Sequence, residues 1–236
     1  IIMKHTLLIK DWLSSFLSLL FPHCCVVCGR PLAKGEECIC TVCNINLPRT
    51  NYHLRKDNPV ERLFWGQIPL ERATSFFFYE KGSDFRLILH RLKYGGQKEI
   101  GAIMGRYMAA ELLSSNFFQG IDVIIPIPLH KKKQQIRGYN QSEWIARGIA
   151  AVTGIPIDTE SILRKKNTET QTRKSVFERR DNVEGIFELQ HPETLAGKHI
   201  LIVDDVLTTG STTLACASCL VNVEGIRISI LTLATA

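Results

Sequence analysis

The sequence has no uninterrupted apolar run of about 18 residues, the length a helix needs to cross a bilayer. No membrane span is therefore expected. A cleavable leader is not expected either. In the opening stretch "IIMKHTLLIKDWLSSFLSLLFPHCC", Lys10 and Asp11 interrupt the apolar residues and no small-residue cleavage site follows. Neither the phosphate loop G-x-x-x-x-G-K-S/T nor the dinucleotide fingerprint G-x-G-x-x-G occurs, which sets aside the nucleotide folds built on them. The chain has no internal repeat and no low-complexity tract, so solenoids and disordered chains are excluded. Charge of one sign does not dominate: the net charge is +6. That mild basicity suits a phosphate-rich ligand or nucleic acid and demands neither.

What is there suffices for a real core. Of 236 residues, 45% are hydrophobic and 22% charged, enough for one large domain or a medium one with a small appendage. The expected division is an N-terminal helix and cysteine module over 1–55 and a larger domain over 60–236. Residues 6–21 read as an amphipathic helix. Cysteine is abundant: eight in all, six of them between Cys24 and Cys43. With no export signal read, a cytoplasmic, reducing compartment is expected, and there clustered cysteines mean metal rather than disulfides.

The cluster reads "CVVCGRPLAKGEECICTVC". Cys25 and Cys28 form one C-x-x-C pair, and Cys40 and Cys43 form another. Zinc takes four soft ligands in a tetrahedron, and each such turn presents two thiolates from one bend. Gly29 and Asn44 follow the two pairs, and both residue types tolerate the positive φ expected to complete the bend. Four thiolates would close the coordination sphere, so a structural Zn²⁺ is expected, supplying folding energy to a segment too short for its own core. Cys24 and Cys38 are surplus, and either could replace a neighbour. His23 and His53 read as solvated loop residues. Cys216 and Cys219, three apart on an expected helix, read as small core residues.

Beyond the linker "LPRTNYHLRKDNP", strand and helix patterns alternate. "RATSFFFYE" (72–80), "IDVIIPIP" (121–128), "KHILIVDD" (198–205) and "RISILTLA" (227–234) read as strands. "SDFRLILHRLKY", "EIGAIMGRYMAAELL", "NQSEWIARGIAAV" and "STTLACASCLV" read as helices. Asn140 can cap the third of these, with Glu143 placed to reach back to the cap. The fold class is α/β with a mostly parallel sheet. Two polar segments, 129–140 and 164–182, break the alternation, and in such sheets ligands bind beyond the carboxyl ends of the strands.

"HILIVDDVLTTGSTT" (199–213) carries the chemistry. Its strand delivers Asp204 and Asp205 to a sheet edge, and the turn then enters a helix. Turn and helix N-terminal amides make an anion site, Gly210 allows close approach, and Thr and Ser hydroxyls add donors. The carboxylates would repel a phosphate but can accept hydrogen bonds from ribose hydroxyls. The expected ligand is a ribose 5-phosphate, whose hydroxyls would offset the repulsion between adjacent acids.

This stretch resembles the 5-phosphoribosyl 1-diphosphate (PRPP) signature of type I phosphoribosyltransferases. Together with the knuckle, "HRLKYGGQKEIG", "DVIIPIPLHKKKQQIRGYNQSEWIARGIA" and "RKKNTETQTRKSVFERRDNVEGIF", it resembles the ComF family. These are competence-associated proteins with a zinc module before a phosphoribosyltransferase-like domain. The resemblance implies that Asp204 and Asp205 hold the ribose as the catalytic pair. It implies that Thr208, Thr209, Gly210, Ser211 and Thr212 cradle the 5-phosphate. Lys131, Lys132, Lys133, Arg137 and Gly138 would face the diphosphate, which brings Mg²⁺. Arg164, Thr168, Gln171, Arg179 and Asn182 would belong to a hood that excludes water. The implied role is in DNA uptake, either as a transferase with no acceptor assignable or as a PRPP-binding accessory protein. Single-stranded DNA and DNA-uptake or recombination proteins are the implied partners, the strand tracking the basic segments near Tyr139 and Trp144.

Overall fold

The computed structural model describes residues 23–165 and 185–236. The expected helix 6–21 and the hood residues Thr168, Gln171, Arg179 and Asn182 lie outside the described residues.

Four strands form one parallel sheet: β1 (Leu70–Phe78), β2 (Val123–Pro126), β5 (His199–Leu207) and β6 (Arg227–Thr235). Their order is β1-β6-β5-β2. The β-branched runs make this sheet because it is covered on both faces. Alternate residues of the central strand go to opposite sides. Ile200 and Ile202 join Val123, Ile125, Ile228 and Ile230 on one face, while Leu201 and Val203 join Ile124, Leu231 and Leu233 on the other.

The second of these faces carries α3 (Arg86–Tyr94), α4 (Glu99–Leu112) and α6 (Gln141–Thr153), which bury Leu92, Met104, Met108, Ile145 and Ile149. The first is covered by α7 (Ser211–Ser218), by Phe64, and by a small hairpin of β3 (Ile162–Arg164) and β4 (Phe187–Leu189). That hairpin was not visible in the sequence pattern, because three-residue strands are too short to show a period. Asn140 caps α6 by accepting from Ser142 N at 3.2 Å. Glu143 does not complete the cap as expected. It turns outward to Arg147 at 2.7 Å, one helical turn on, where the charge pair is solvated.

The segment 129–140 is not a loop. Lys131–Arg137 forms a short helix, α5, capped by His130 Nδ1 accepting from Lys132 N and ended by Gly138 at φ +79°. Lys, Gln and Arg are good helix formers, so the charge run that looked like a break is compatible with helix.

The cysteine segment includes α1 (Thr41–Ile45), and α2 (Pro59–Arg62) follows it. Cys25, Val26, Val27, Ile39 and Leu47 belong to the same buried cluster as Phe76, Phe77, Met108 and Leu112. The linker lies along β1: Thr50 N donates to Phe76 O and Phe78 N to Pro48 O.

Candidate functional site

Because β2 and β5 are parallel neighbours, the segments following both emerge at one sheet edge. Asn140 Nδ2 donates to Ile127 O at 3.0 Å and fastens the first segment down. Tyr139 Oη donates to Leu92 O at 2.6 Å, which ties it to α3.

Asp204 and Asp205 sit near the end of β5, which runs two residues further than the sequence pattern suggested. Neighbours on a strand point to opposite faces, and this is how two adjacent acids coexist. Asp205 meets Lys93 Nζ at 3.1 Å. Asp204 Oδ1 accepts from Ser142 Oγ at 3.0 Å and from Asp205 N at 2.8 Å. The protein thus meets part of the repulsion itself, before any ligand adds hydroxyls. Burial first, and then the Asp205 charge, push the Asp204 carboxyl up to about 7, against the pull of the Asp205 amide, Lys93 and Ser142.

The turn beyond is an open cup lined by Asp204 and by Val206 through Thr213. Gly210, at φ +73°, stands at the N-cap of α7, and no side chain caps that helix. A Cβ at Gly210 would lie 3.3 Å from the Phe64 ring, so a buried aromatic fixes the underside of the turn. Thr209 and Ser211 hydroxyls are 2.8 Å apart, and Thr208, Thr209 and Thr212 are exposed. The result is a first turn of helix that its N-cap residue leaves uncapped, with one long contact from Ser211 N to Thr209 Oγ1 at 3.5 Å, beside a carboxylate pair.

Cations gather nearby. Lys133 feels Arg164, Arg137 and Lys93, and its pKa is lowered by burial first and then by those charges. Burial likewise lowers Arg164, which feels Asp204 as its counter-charge. Arg137 donates to Gln141 Oε1 at 2.8 Å. Lys131 and Lys132 are exposed on the first turn of α5, and Gly138 ends it. Lys93 and Ser142 were missed as site residues in the sequence. Lys93 sits on a helix more than a hundred residues before Asp205, and no local spacing links the two. The only signal was its place in "HRLKYGG".

Tyr139, expected near a DNA path, is buried. Trp144 is half-buried, with Lys98 Nζ at 4.7 Å and Arg147 at 5.0 Å from its ring centroid.

The second candidate site is sulfur. The ligand atoms of Cys25, Cys28, Cys40 and Cys43 all lie within 4.8 Å of one another. Sulfurs about 2.3 Å from a central zinc would be about 3.8 Å apart, and Cys28 Sγ and Cys40 Sγ are 3.8 Å apart. Cys40 N donates to Cys25 Sγ at 3.3 Å and Cys43 N to Cys40 Sγ at 3.5 Å, bonds that suit thiolates. The Arg30 side chain, 3.4 Å from Cys28 Sγ, is the chief cause that pulls this thiol down to about 6. The donors therefore fit a tetrahedral metal. Cys24 and Cys38 stand outside the set, and burial pushes Cys38 up to about 12. Gly29 has φ +71°, as expected. Asn44 does not take a positive φ. Cys40 caps α1 and Cys43 lies in its first turn, so a helix rather than a left-handed residue presents the second pair. Cys216 is buried in α7 and Cys219 donates to Cys216 O at 2.9 Å, as core residues would.

The chain is similar to several known proteins. Residues 141–236 match the family model "Phosphoribosyl transferase domain". The chain is 32% identical over 206 residues to "DNA utilization protein YhgH" of Escherichia coli O157:H7, covering 81% of this chain and 87% of that one. It is 31% identical over 130 residues to "Competence protein F" of Haemophilus influenzae, covering 53% and 57% of the two chains. Against "Competence protein ComFC" of Bacillus subtilis it is 25% identical over 202 residues, covering 84% and 71%.

Proposed function

Because this chain belongs to the ComF family, alongside the DNA utilization protein YhgH and the competence proteins F and ComFC, we propose that it binds PRPP in the handling of incoming DNA. The observation that carries the reading is the pairing of two separately supported carboxylates with a helix turn that its N-cap residue leaves uncapped, at one sheet edge. A diol with a phosphate on the far side of the ring matches that pair. Asp204 and Asp205 take the ribose hydroxyls, and Thr208 to Thr212 take the 5-phosphate through amides and hydroxyls. Lys133, Arg137 and Arg164 face the 1-diphosphate, whose charge Mg²⁺ would share. Lys93 joins them from the ribose side and keeps Asp205 aimed.

Cys25, Cys28, Cys40 and Cys43 would hold Zn²⁺. Closed by four thiolates, it would supply folding energy and leave no position for water.

The test is calorimetric titration of the whole protein with PRPP and Mg²⁺, with pyrophosphate release followed beside a panel of bases and amines. Saturable binding is expected, and Asp204→Asn together with Asp205→Asn should weaken it at least tenfold without changing zinc content. Release of pyrophosphate with one acceptor would make the protein a transferase; binding without release would make it a PRPP-responsive accessory protein. Absence of PRPP binding by the unaltered protein would end the reading.

A further inference from the structure

Tyr94 ends α3 and is 70% exposed. Single exposed rings are ordinary on a protein surface. This one is held in place. His90, one turn back, lies 5.3 Å from it centroid to centroid at 50°. The Arg137 guanidinium lies 5.5 Å from the ring centroid, and it is itself anchored on Gln141. The two residues that follow are Gly95 and Gly96, so no side chain of theirs overhangs the ring. The residue before is Lys93, turned inward onto Asp205.

The surroundings say what kind of ring would settle there. Arg137 closes α5, whose first turn exposes Lys131 and Lys132. Ile136, beside Arg137, is 85% exposed and gives the strip an apolar element. An exposed ring beside a short helix rich in cations fits a base that arrives attached to phosphates. A free base would need the ring and not the charges. Tyr139 is buried and Trp144 is half-buried between two cations, so neither offers a comparable face.

We propose that Tyr94 is a stacking platform for an unpaired base of single-stranded nucleic acid, with the strand's phosphates running over the cations of α5. This rests on the DNA-handling half of the reading above, and its test is read separately from that of the sugar-phosphate half. Arg137 serves both, so strand and PRPP would meet at this residue.

The experiment uses the whole protein and a fluorescent oligothymidylate, titrated at several salt concentrations, with PRPP titrated in parallel. Tyr94→Ala should weaken strand binding roughly tenfold and leave the salt slope unchanged, because a stack and no phosphate contact is lost. Tyr94→Trp should keep the affinity. Lys131→Ala with Lys132→Ala should instead flatten the salt slope by about one to two. A duplex of equal length should show no dependence on Tyr94. PRPP affinity should be the same in Tyr94→Ala as in the unaltered protein, so failure of PRPP to bind at all counts against the sugar-phosphate site alone. Strand binding by Tyr94→Ala equal to that of the unaltered protein overturns the proposal, as does the absence of strand binding in the unaltered protein. A free nucleoside that binds in a Tyr94-dependent way, with the strand indifferent to Tyr94, also overturns it and makes the ring an acceptor subsite.

Discussion

Asp204 is the residue on which the free protein strains and the bound one would gain. Burial is the main cause that lifts its carboxyl from an ordinary value of 3.8 to about 7. An acid whose pKa rises on folding stays protonated in the fold while the unfolded chain has already ionised. Between about pH 4 and pH 7 the folded state therefore holds more protons, and stability falls as pH rises through that window. Asp204→Asn keeps an acceptor for Ser142 and removes the ionisation. Thermal melts should place the variant a few degrees above the unaltered protein at pH 8, since about 1 kcal/mol moves the midpoint roughly 2–4 °C in a chain of this size. Near pH 4 the two should coincide. Equal midpoints at pH 8 would mean that Asp204 ionises freely. The aspartate pair and the four metal-competent cysteines were legible in the sequence because each rests on short local spacings. Lys93, Ser142 and Tyr94 were not, since a residue's place at a site made by distant segments follows from packing and has no local period.

Elements were legible where their apolar period was long. α3, α4 and α6 appear where the sequence pattern put them, while the β3–β4 hairpin and α5 do not announce themselves. What the pattern did not show is how closely two helices approach. A Cβ on Gly105 of α4 would lie 2.3 Å from Ile145 O, and one on Gly148 of α6 would lie 2.1 Å from Ala102 O. Both contacts are with backbone, so no side chain can swing aside. Helix propensity alone says that Gly148→Ala stabilises by about 1 kcal/mol. The contact says the opposite, because separating two packed helices costs roughly 1–3 kcal/mol or more. Gly148→Ala should melt several degrees below the unaltered protein in a calorimetric scan. It should also weaken the proposed PRPP binding, because α6 carries Ser142 to Asp204. A rise in melting temperature would show that the helices have room to spare.

At the scale of the whole molecule, the cysteine segment shares its core with the sheet. Val26, Val27, Ile39 and Leu47 pack in one cluster with Phe76, Phe77, Met104 and Met108. Arg49 joins the two parts again, bonding Glu111 Oε2 at 2.5 Å and Asn44 Oδ1 at 2.9 Å and lying over Phe76. Arg106 reaches Glu37 from α4. A metal that holds Cys25 and Cys43 therefore also holds one wall of the larger core, and losing it should be felt beyond residue 50. Cys28 is the cysteine to change, because it is exposed and its loss digs no cavity. Cys28→Ser, or a strong chelator on the unaltered protein, should lower the midpoint of a single unfolding transition. Near-ultraviolet signals from the aromatic residues around Phe76 should weaken with it. If two transitions separate, and chelation leaves the upper one unmoved, the cysteine segment is an appendage and the shared cluster contributes little to holding the sheet.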